Sequence, residues 1–253
     1  IGGGIIQDIT CFLATTVMRG LSWIFYPTTL LAQSDSCIGS KSSINSGEVK
    51  NILGTFTPPD KVVIDVDFLQ TLEQREIFSG IGEMLKVHAI NSPKSFDLIS
   101  TAYEDILKNP MIMEEFIHNS LSMKKKLIEI DEFDQGVRNV MNYGHSFGHA
   151  IESATNYRIP HGIAVTIGMD IANFVSAELC VSDPSHFERM HTVLEKNYRT
   201  YQYVEISIES LLNALSKDKK NSATQLRLIF PDKNGCIGIG LYDNNSKLKN
   251  SLD

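Results

Sequence analysis

From about residue 72 onward, apolar residues recur three and four apart in six successive helix-length stretches, and this period limits most of the chain to helix-on-helix packing. The predicted helices are 73–90, 95–108, 111–129, 139–154, 163–179 and 184–198. Before residue 72 the pattern is different, with short strand-like runs between glycines and prolines. Residues 21–26, with Trp23, Ile24, Phe25 and Tyr26, read as a strand stopped by Pro27. Residues 61–65, bounded upstream by Pro58-Pro59, read as a short buried strand. A helix is expected over 9–17 and a capped helix start at 28–33. The expected architecture is therefore an α/β portion, residues 1–72, followed by a mainly helical portion, residues 73–253. Residues 226–230 and 236–241 predict two late strands, and the polar residues 243–253 a frayed tail.

The stretch Asn142-Tyr143-Gly144-His145-Ser146-Phe147-Gly148-His149 lies within one of these helices. Histidines four apart share one helix face, and a third, His161, follows Pro160 closely. Neutral imidazole is a common ligand for zinc-like metals, and two histidines plus one carboxylate is a frequent catalytic set. A lone histidine on an apolar helix is more often a satisfied core or surface residue; three together raise the odds of a metal or phosphate role. Glu83, three residues before Lys86, is a candidate carboxylate. Its helix carries Gly80 and Gly82, which weaken a surface helix by roughly 1 kcal/mol each and so point to close packing or a ligand. Two further stretches invite an anion, each on weak local grounds. Gly2-Gly3-Gly4 precedes a helix start. Lys41 sits among small residues in the loop 35–45.

Composition excludes several classes. A net charge of −7 argues against a general nucleic-acid binder. No apolar run approaches the roughly 18 residues of a membrane span. The four scattered cysteines form no CxxC pair, which fits a reducing cytoplasm and not a cysteine zinc site. The glycine-rich opening without Met reads as the end of a strand and a phosphate loop, and leads us to expect a further segment upstream.

The motifs run in one order: Gly2-Gly3-Gly4 with Asp8, Met18-Arg19-Gly20, residues 27–33, residues 35–45, and Lys50-Asn51. They continue through Glu83-Met84-Leu85-Lys86, Asp131-Glu132 to Arg138, residues 142–152, His161-Gly162 and Asp218-Lys219-Lys220. Together they resemble the 3-dehydroquinate synthase family of sugar phosphate cyclases, over nearly the whole chain. The resemblance implies a partial Rossmann-like, NAD-binding domain and a helical metal- and substrate-binding domain. It implies a shikimate-pathway lyase that binds NAD and one divalent metal, zinc or cobalt. The implied substrate is 3-deoxy-arabino-heptulosonate 7-phosphate, which is oxidised, loses phosphate, is reduced again and closes by aldol addition to 3-dehydroquinate.

By the same resemblance the metal ligands are Glu83, His145 and His161, so the spacing partner His149 faces the substrate phosphate instead. Asp35 and Lys86 orient the reacting hydroxyls. Lys41, Asn51, Asn142, His149 and Lys219 hold the phosphate, with Arg19 reaching it from a second subunit of a homodimer. Lys124 and Arg138 grip the substrate carboxylate; Lys124 is the first of three consecutive lysines, a run that is usually just a solvated face. NAD contacts fall to Gly2, Gly3, Gly4, Asp8, Thr28, Thr29, Lys50, Phe68 and Thr71.

There are departures from the family pattern. Ser40 replaces a usual Gly, Asp134 a usual Glu, and Ile163 the Glu that usually follows His-Gly, which removes an acceptor for a metal-bound histidine. Alternatives are an aminodehydroquinate, epi-valiolone or deoxy-inosose synthase, a non-catalytic relative, or a metal-dependent alcohol dehydrogenase. Lys124 with Arg138 favours a substrate that carries a carboxylate.

Overall fold

The computed structural model describes residues 1–46, 49–206 and 225–243, of which the side chains of residues 45, 46, 49–51, 225 and 243 are left aside. The chain forms two compact units, residues 1–80 with 105–138 and residues 81–104 with 139–253. The expected boundary near residue 72 does not coincide with this division. Helix α4 (Pro110–Ile130) packs against the turns Ala32–Ser36 and Val66–Thr71, which draws residues 105–138 into the first unit.

In the first unit, Gly2 pairs in parallel with Pro27 across helix α1 (Gly4–Thr16). Strand β1 (Ile24–Phe25) pairs in parallel with a strand at Lys61–Val62. A parallel bridge across α1 beside a parallel strand pair matches part of a nucleotide-binding unit. An antiparallel pair lies between these strands in sequence, so Ile44–Ser46 is β2, Val49–Leu53 is β3 and Lys61–Val62 is β4. Cys11, Ala14, Trp23, Phe25, Ala32 and Cys37 form the buried centre, with Ile38, Val62 and Leu121 against it. Both predicted strands shrink to two residues here. The 61–65 segment is not buried as expected: Lys61 and Ile64 are exposed, and after Val62 the chain turns into the Val66–Thr71 3-10 turn. The expected helix start at 28–33 leads into a five-residue π-turn, Ala32–Ser36.

Helix α2 (Gln74–Asn91) begins in the first unit and ends in the second; α3 (Pro93–Lys108) likewise spans the division. Asn109 caps α4, accepting from Met111 N at 3.0 Å, with Pro110 in the first turn. The second unit is built on α5 (His145–Ala154), α6 (His161–Glu178) and α7 (Pro184–Tyr198). Strands β5 (Gln225–Pro231) and β6 (Ile237–Asp243) pair antiparallel beside α6. Helix α6 is its axis: Ile163, Val165, Met169 and Val175 are all fully buried. Burying a side chain of this size contributes about 1.5–3 kcal/mol.

The predicted continuous helix 139–154 is broken. Residues Val137–Asn142 form a 3-10 turn, Gly144 takes a left-handed φ of 75°, and α5 starts afresh at His145. Gly144 is also packed against Val165 and Met169 of α6, so a side chain there would meet both strain and a wall. The break places His145 on the first turn of a new helix.

Gly82 explains itself by contact. A Cβ there would overlap the carbonyl oxygen of Gly162 and the hydroxyl of Thr166 on α6. Alanine normally gains about 1 kcal/mol over glycine in a helix, but overpacking against a buried backbone costs about 1–3 kcal/mol. Gly82→Ala is therefore expected to lower the denaturation free energy and, because Glu83 and His161 flank the contact, to weaken metal uptake. Denaturant melts and zinc titration of the two chains check this.

Candidate metal centre and anion-binding loops

Glu83 sits on α2, one residue past that contact, and is 1% exposed. Its Oε2 accepts from the ammonium of Lys86, one turn on and equally buried. Its Oε1 is buried and has no hydrogen-bond partner among the described residues. That oxygen faces His161 Nε2 at 3.5 Å and His145 Nε2 at 3.8 Å. Two ligand atoms about 2.1 Å from one tetrahedral ion lie about 3.4 Å apart. A buried, partnerless carboxylate oxygen opposite two imidazole nitrogens fits a zinc-like ion, and Glu83, His145 and His161 form a three-donor cluster within 4.8 Å.

The opposite edges of both rings are held. His145 Nδ1 lies 3.2 Å from the carbonyl of Tyr143, and His161 Nδ1 lies 3.2 Å from Glu152 Oε1. Burial pushes His145 well below the usual imidazole range, and the nearby Lys86, His161 and His149 push the same way. Burial also acts downward on His161, but the Glu152 hydrogen bond and the Glu83 charge outweigh it and the net shift is upward. Neutral His145 is therefore a ready donor for a cation.

His149 is exposed, one turn from His145, with ring centroids 5.3 Å apart. It belongs to a second three-donor set, with Glu152 and His161, within the same 4.8 Å limit. Asn142, at the end of the 3-10 turn, donates to the Asn139 carbonyl at 3.0 Å. Glu152 is the residue that sequence reasoning left without a role. Its place on the His145–His149 face, seven residues after His145, was the available signal.

The first unit holds other candidates. Asp35 lies in the π-turn, where Lys124 Nζ reaches its Oδ1 at 3.0 Å and also its backbone carbonyl. Lys124 is buried while Lys125 and Lys126 are exposed, so the three-lysine run is not one uniform solvated face. Lys41 pairs with Asp134, and Ser40 before it has a φ of 57°. Ser40 thus stands in a left-handed conformation, which a side chain rarely takes. The Arg138 guanidinium donates to the carbonyls of Glu132 and, at 3.3 Å, of Gly39.

Asp131 shapes the loop that presents Arg138. Its carboxylate accepts from the backbone N–H groups of Gln135, Gly136 and Arg138 at 2.9, 2.8 and 3.0 Å. The bond from Gln135 is the largest cause holding its carboxyl below the ordinary range, followed in effect by those from Gly136 and Arg138, with burial opposing. A depressed carboxylate contributes stability above its unfolded-state pKa and loses it as pH falls through the folded value. Asp131→Ala is expected to destabilise the chain near neutral pH, and the gap to the unsubstituted chain should close as pH falls through that window. Paired urea melts across pH measure it.

At the opening, Gly3 caps α1, and a Cβ there would lie 2.8 Å from the Thr29 methyl. The N-terminus of a helix suits an anionic group. Asp8 accepts from Ser43 N at 2.9 Å, with burial pushing its carboxyl up against that bond. Thr28 N bonds the Gly2 carbonyl at 3.0 Å, and the Thr29 hydroxyl accepts from Ala32 N at 3.2 Å. Phe68 is half-buried and Thr71 exposed on the same 3-10 turn. Arg19 is exposed with a φ of 67°. Only the backbone of Lys50 and Asn51 is described, in β3, and Lys219 lies outside the described residues.

Comparison with known proteins covers both units. A family model described as 3-dehydroquinate synthase N-terminal matches residues 1–79, and one described as 3-dehydroquinate synthase C-terminal matches residues 80–221. A 3-dehydroquinate synthase of Dictyoglomus thermophilum is 40% identical over 247 residues, covering 94% of this chain and 67% of that protein. One from Thermodesulfovibrio yellowstonii is 37% identical over 257 residues, covering 100% and 71%. The chain spans about two thirds of the length of such relatives. Among solved structures, a 2-epi-5-epi-valiolone synthase from Streptomyces hygroscopicus with NAD+ and Zn2+ bound aligns with a TM-score of 0.88 at 24% identity, over 99% of this chain and 71% of that one. A 2-deoxy-scyllo-inosose synthase complexed with carbaglucose-6-phosphate, NAD+ and Co2+ aligns at 0.86 and 24%, over 100% and 72%. At that identity the likeness establishes the shared fold, a Rossmann-like portion with a helical one.

Proposed function

Because the chain belongs to the 3-dehydroquinate synthase family, we propose that it is an NAD- and metal-dependent lyase converting 3-deoxy-arabino-heptulosonate 7-phosphate to 3-dehydroquinate and phosphate. The observation that carries the reading is the partnerless Glu83 oxygen facing His145 and His161. Glu83, His145 and His161 would hold the metal, zinc or cobalt. When bound, a divalent ion supplies a lowered pKa for a substrate hydroxyl, and NAD a transient hydride acceptor.

The chain's own groups have the remaining tasks. Lys86, buried beside Glu83, would orient a reacting hydroxyl and hold a proton there, and Asp35 would orient another. Lys41, Asn51, Asn142, His149 and Lys219, with Arg19 of a second subunit in a homodimer, would take the phosphate. Several modest donors suit a dianion that must also leave. Lys124 and Arg138 would take the substrate carboxylate. Lys124 is already fixed by Asp35, and Arg138 by two backbone carbonyls, which lowers the ordering cost of binding. NAD would lie along Gly2, Gly3, Gly4, Asp8, Thr28, Thr29, Lys50, Phe68 and Thr71. A small-molecule enzyme of the cytoplasm agrees with four free cysteines, and no helix of the described residues is long and apolar enough to cross a membrane.

The test is substrate choice. Phosphate release should be rapid from the heptulosonate phosphate and slower by at least about 100-fold from carboxylate-free sugar phosphates, since a site built to bind a polar substrate group rejects analogues that lack it. Arg138→Ala should narrow that ratio by raising KM for the acid alone. Equal turnover of both substrate types would assign the chain to a different cyclase activity.

A further inference from the structure

We propose that Glu152 is the positioning residue of this metal centre, holding the ring of His161 so that Nε2 faces Glu83. The proposal rests on the metal-site reading above. His161 offers two nitrogens, with Nδ1 3.2 Å from Glu152 Oε1 and Nε2 3.5 Å from Glu83 Oε1. A neutral imidazole has one N–H and one lone pair, and a carboxylate only accepts. Of the two carboxylates only Glu152 is within hydrogen-bond distance, so it favours the tautomer with its proton at Nδ1 and its lone pair at Nε2, where a metal would take it. His145 meets the same need through the main chain, with its Nδ1 against the Tyr143 carbonyl.

Helix α5 is arranged for both tasks. His145 and Glu152 lie seven residues apart on one face, so the helix supplies a ligand at its start and the partner of another ligand two turns on. Glu152 is 7% exposed, flanked by Ile151 and on the helix of Phe147, a costly place for a carboxylate without a task. The residue following His161-Gly162 is Ile163, fully buried on α6 and unable to accept. The acceptor for His161 is thus supplied by α5.

His149, Glu152 and His161 also form a candidate cation cluster of their own. The structure favours positioning over ligation, because Glu152 Oε1 already bonds His161 whereas Glu83 Oε1 has no hydrogen-bond partner among the described residues. Loss of an outer partner of a metal-bound histidine weakens metal affinity 10–100-fold.

Three variants, Glu152→Ala, Glu152→Gln and Glu83→Gln, would be compared with the unsubstituted chain. The readouts are zinc affinity by chelator competition and the His161 tautomer by nitrogen NMR of the metal-free protein at a pH where that ring is neutral. Glu152→Ala is expected to bind zinc about 10–100-fold more weakly and to lose the Nδ1–H tautomer. Glu152→Gln, whose amide oxygen still accepts, should retain the tautomer and recover most of the affinity. Unchanged affinity and tautomer in Glu152→Ala would overturn the proposal alone. Glu152→Gln losing zinc as completely as Glu83→Gln would also overturn it, making Glu152 a ligand. An unsubstituted chain that takes up no zinc would overturn the metal reading and this proposal with it.

Discussion

Glu83→Gln is expected to abolish metal loading, with zinc affinity down by at least about 1,000-fold and turnover falling with it. Loss of an outer-shell partner already costs 10–100-fold, and this change removes a ligand. It removes the negative charge that faces both imidazoles and leaves the Lys86 ammonium, 3% exposed, beside a neutral amide. Metal content after dialysis should drop from about one ion per chain to near none, while the helical circular dichroism of a correctly folded chain persists. A Glu83→Gln chain that keeps its zinc would remove the centre from this account.

Lys86→Met is expected to act in the opposite direction on metal and on fold. The Lys86–Glu83 pair is buried, and breaking a buried pair by removing one partner costs about 3–5 kcal/mol. Met retains most of the stem volume, so the loss is mainly of charge. The metal-free variant should melt on the order of 10 °C lower. Zinc would supply the missing countercharge to Glu83, so loading should recover most of that difference, with affinity no weaker than before. Turnover should still fall, because the proton-holding group is gone. Differential melting with and without zinc, beside a rate assay, separates the effects. A metal-free Lys86→Met chain as stable as the original would show that the pair contributes little.

The helices were legible because their apolar period is local: α7 was predicted at its observed bounds, and α2, α3 and α4 differ by one or two residues at an end. The interruption at Gly144 was not, since apolar residues continue in step on both sides and only a backbone φ of 75° reveals the break. The strands of the first unit were overestimated for a related reason. An apolar run indicates burial, but how many residues pair depends on the neighbouring strand, and β1 and β4 share two.

The metal centre illustrates the limit of spacing. The i,i+4 pair His145 and His149 drew attention to one helix face, yet His149 is exposed and sits in a different donor set from Glu83. The three residues that meet come from α2, α5 and α6. Only the ordered run of motifs, read as a family resemblance, brought them together in advance. Gly82 was legible as an anomaly, a glycine in a helix interior, and its cause required the position of Gly162 on α6. Glu152 stood within the same motif, but its bond to His161 depends on how α5 packs on α6.

The most direct measurement is the formation of 3-dehydroquinate and phosphate from the heptulosonate phosphate by the zinc-loaded chain, with and without added NAD, and again after chelation. The account predicts release that needs both NAD and the metal, is restored by zinc or cobalt, and is lost in Glu83→Gln. Product formed at the same rate by the chelated chain, or by Glu83→Gln, would contradict it.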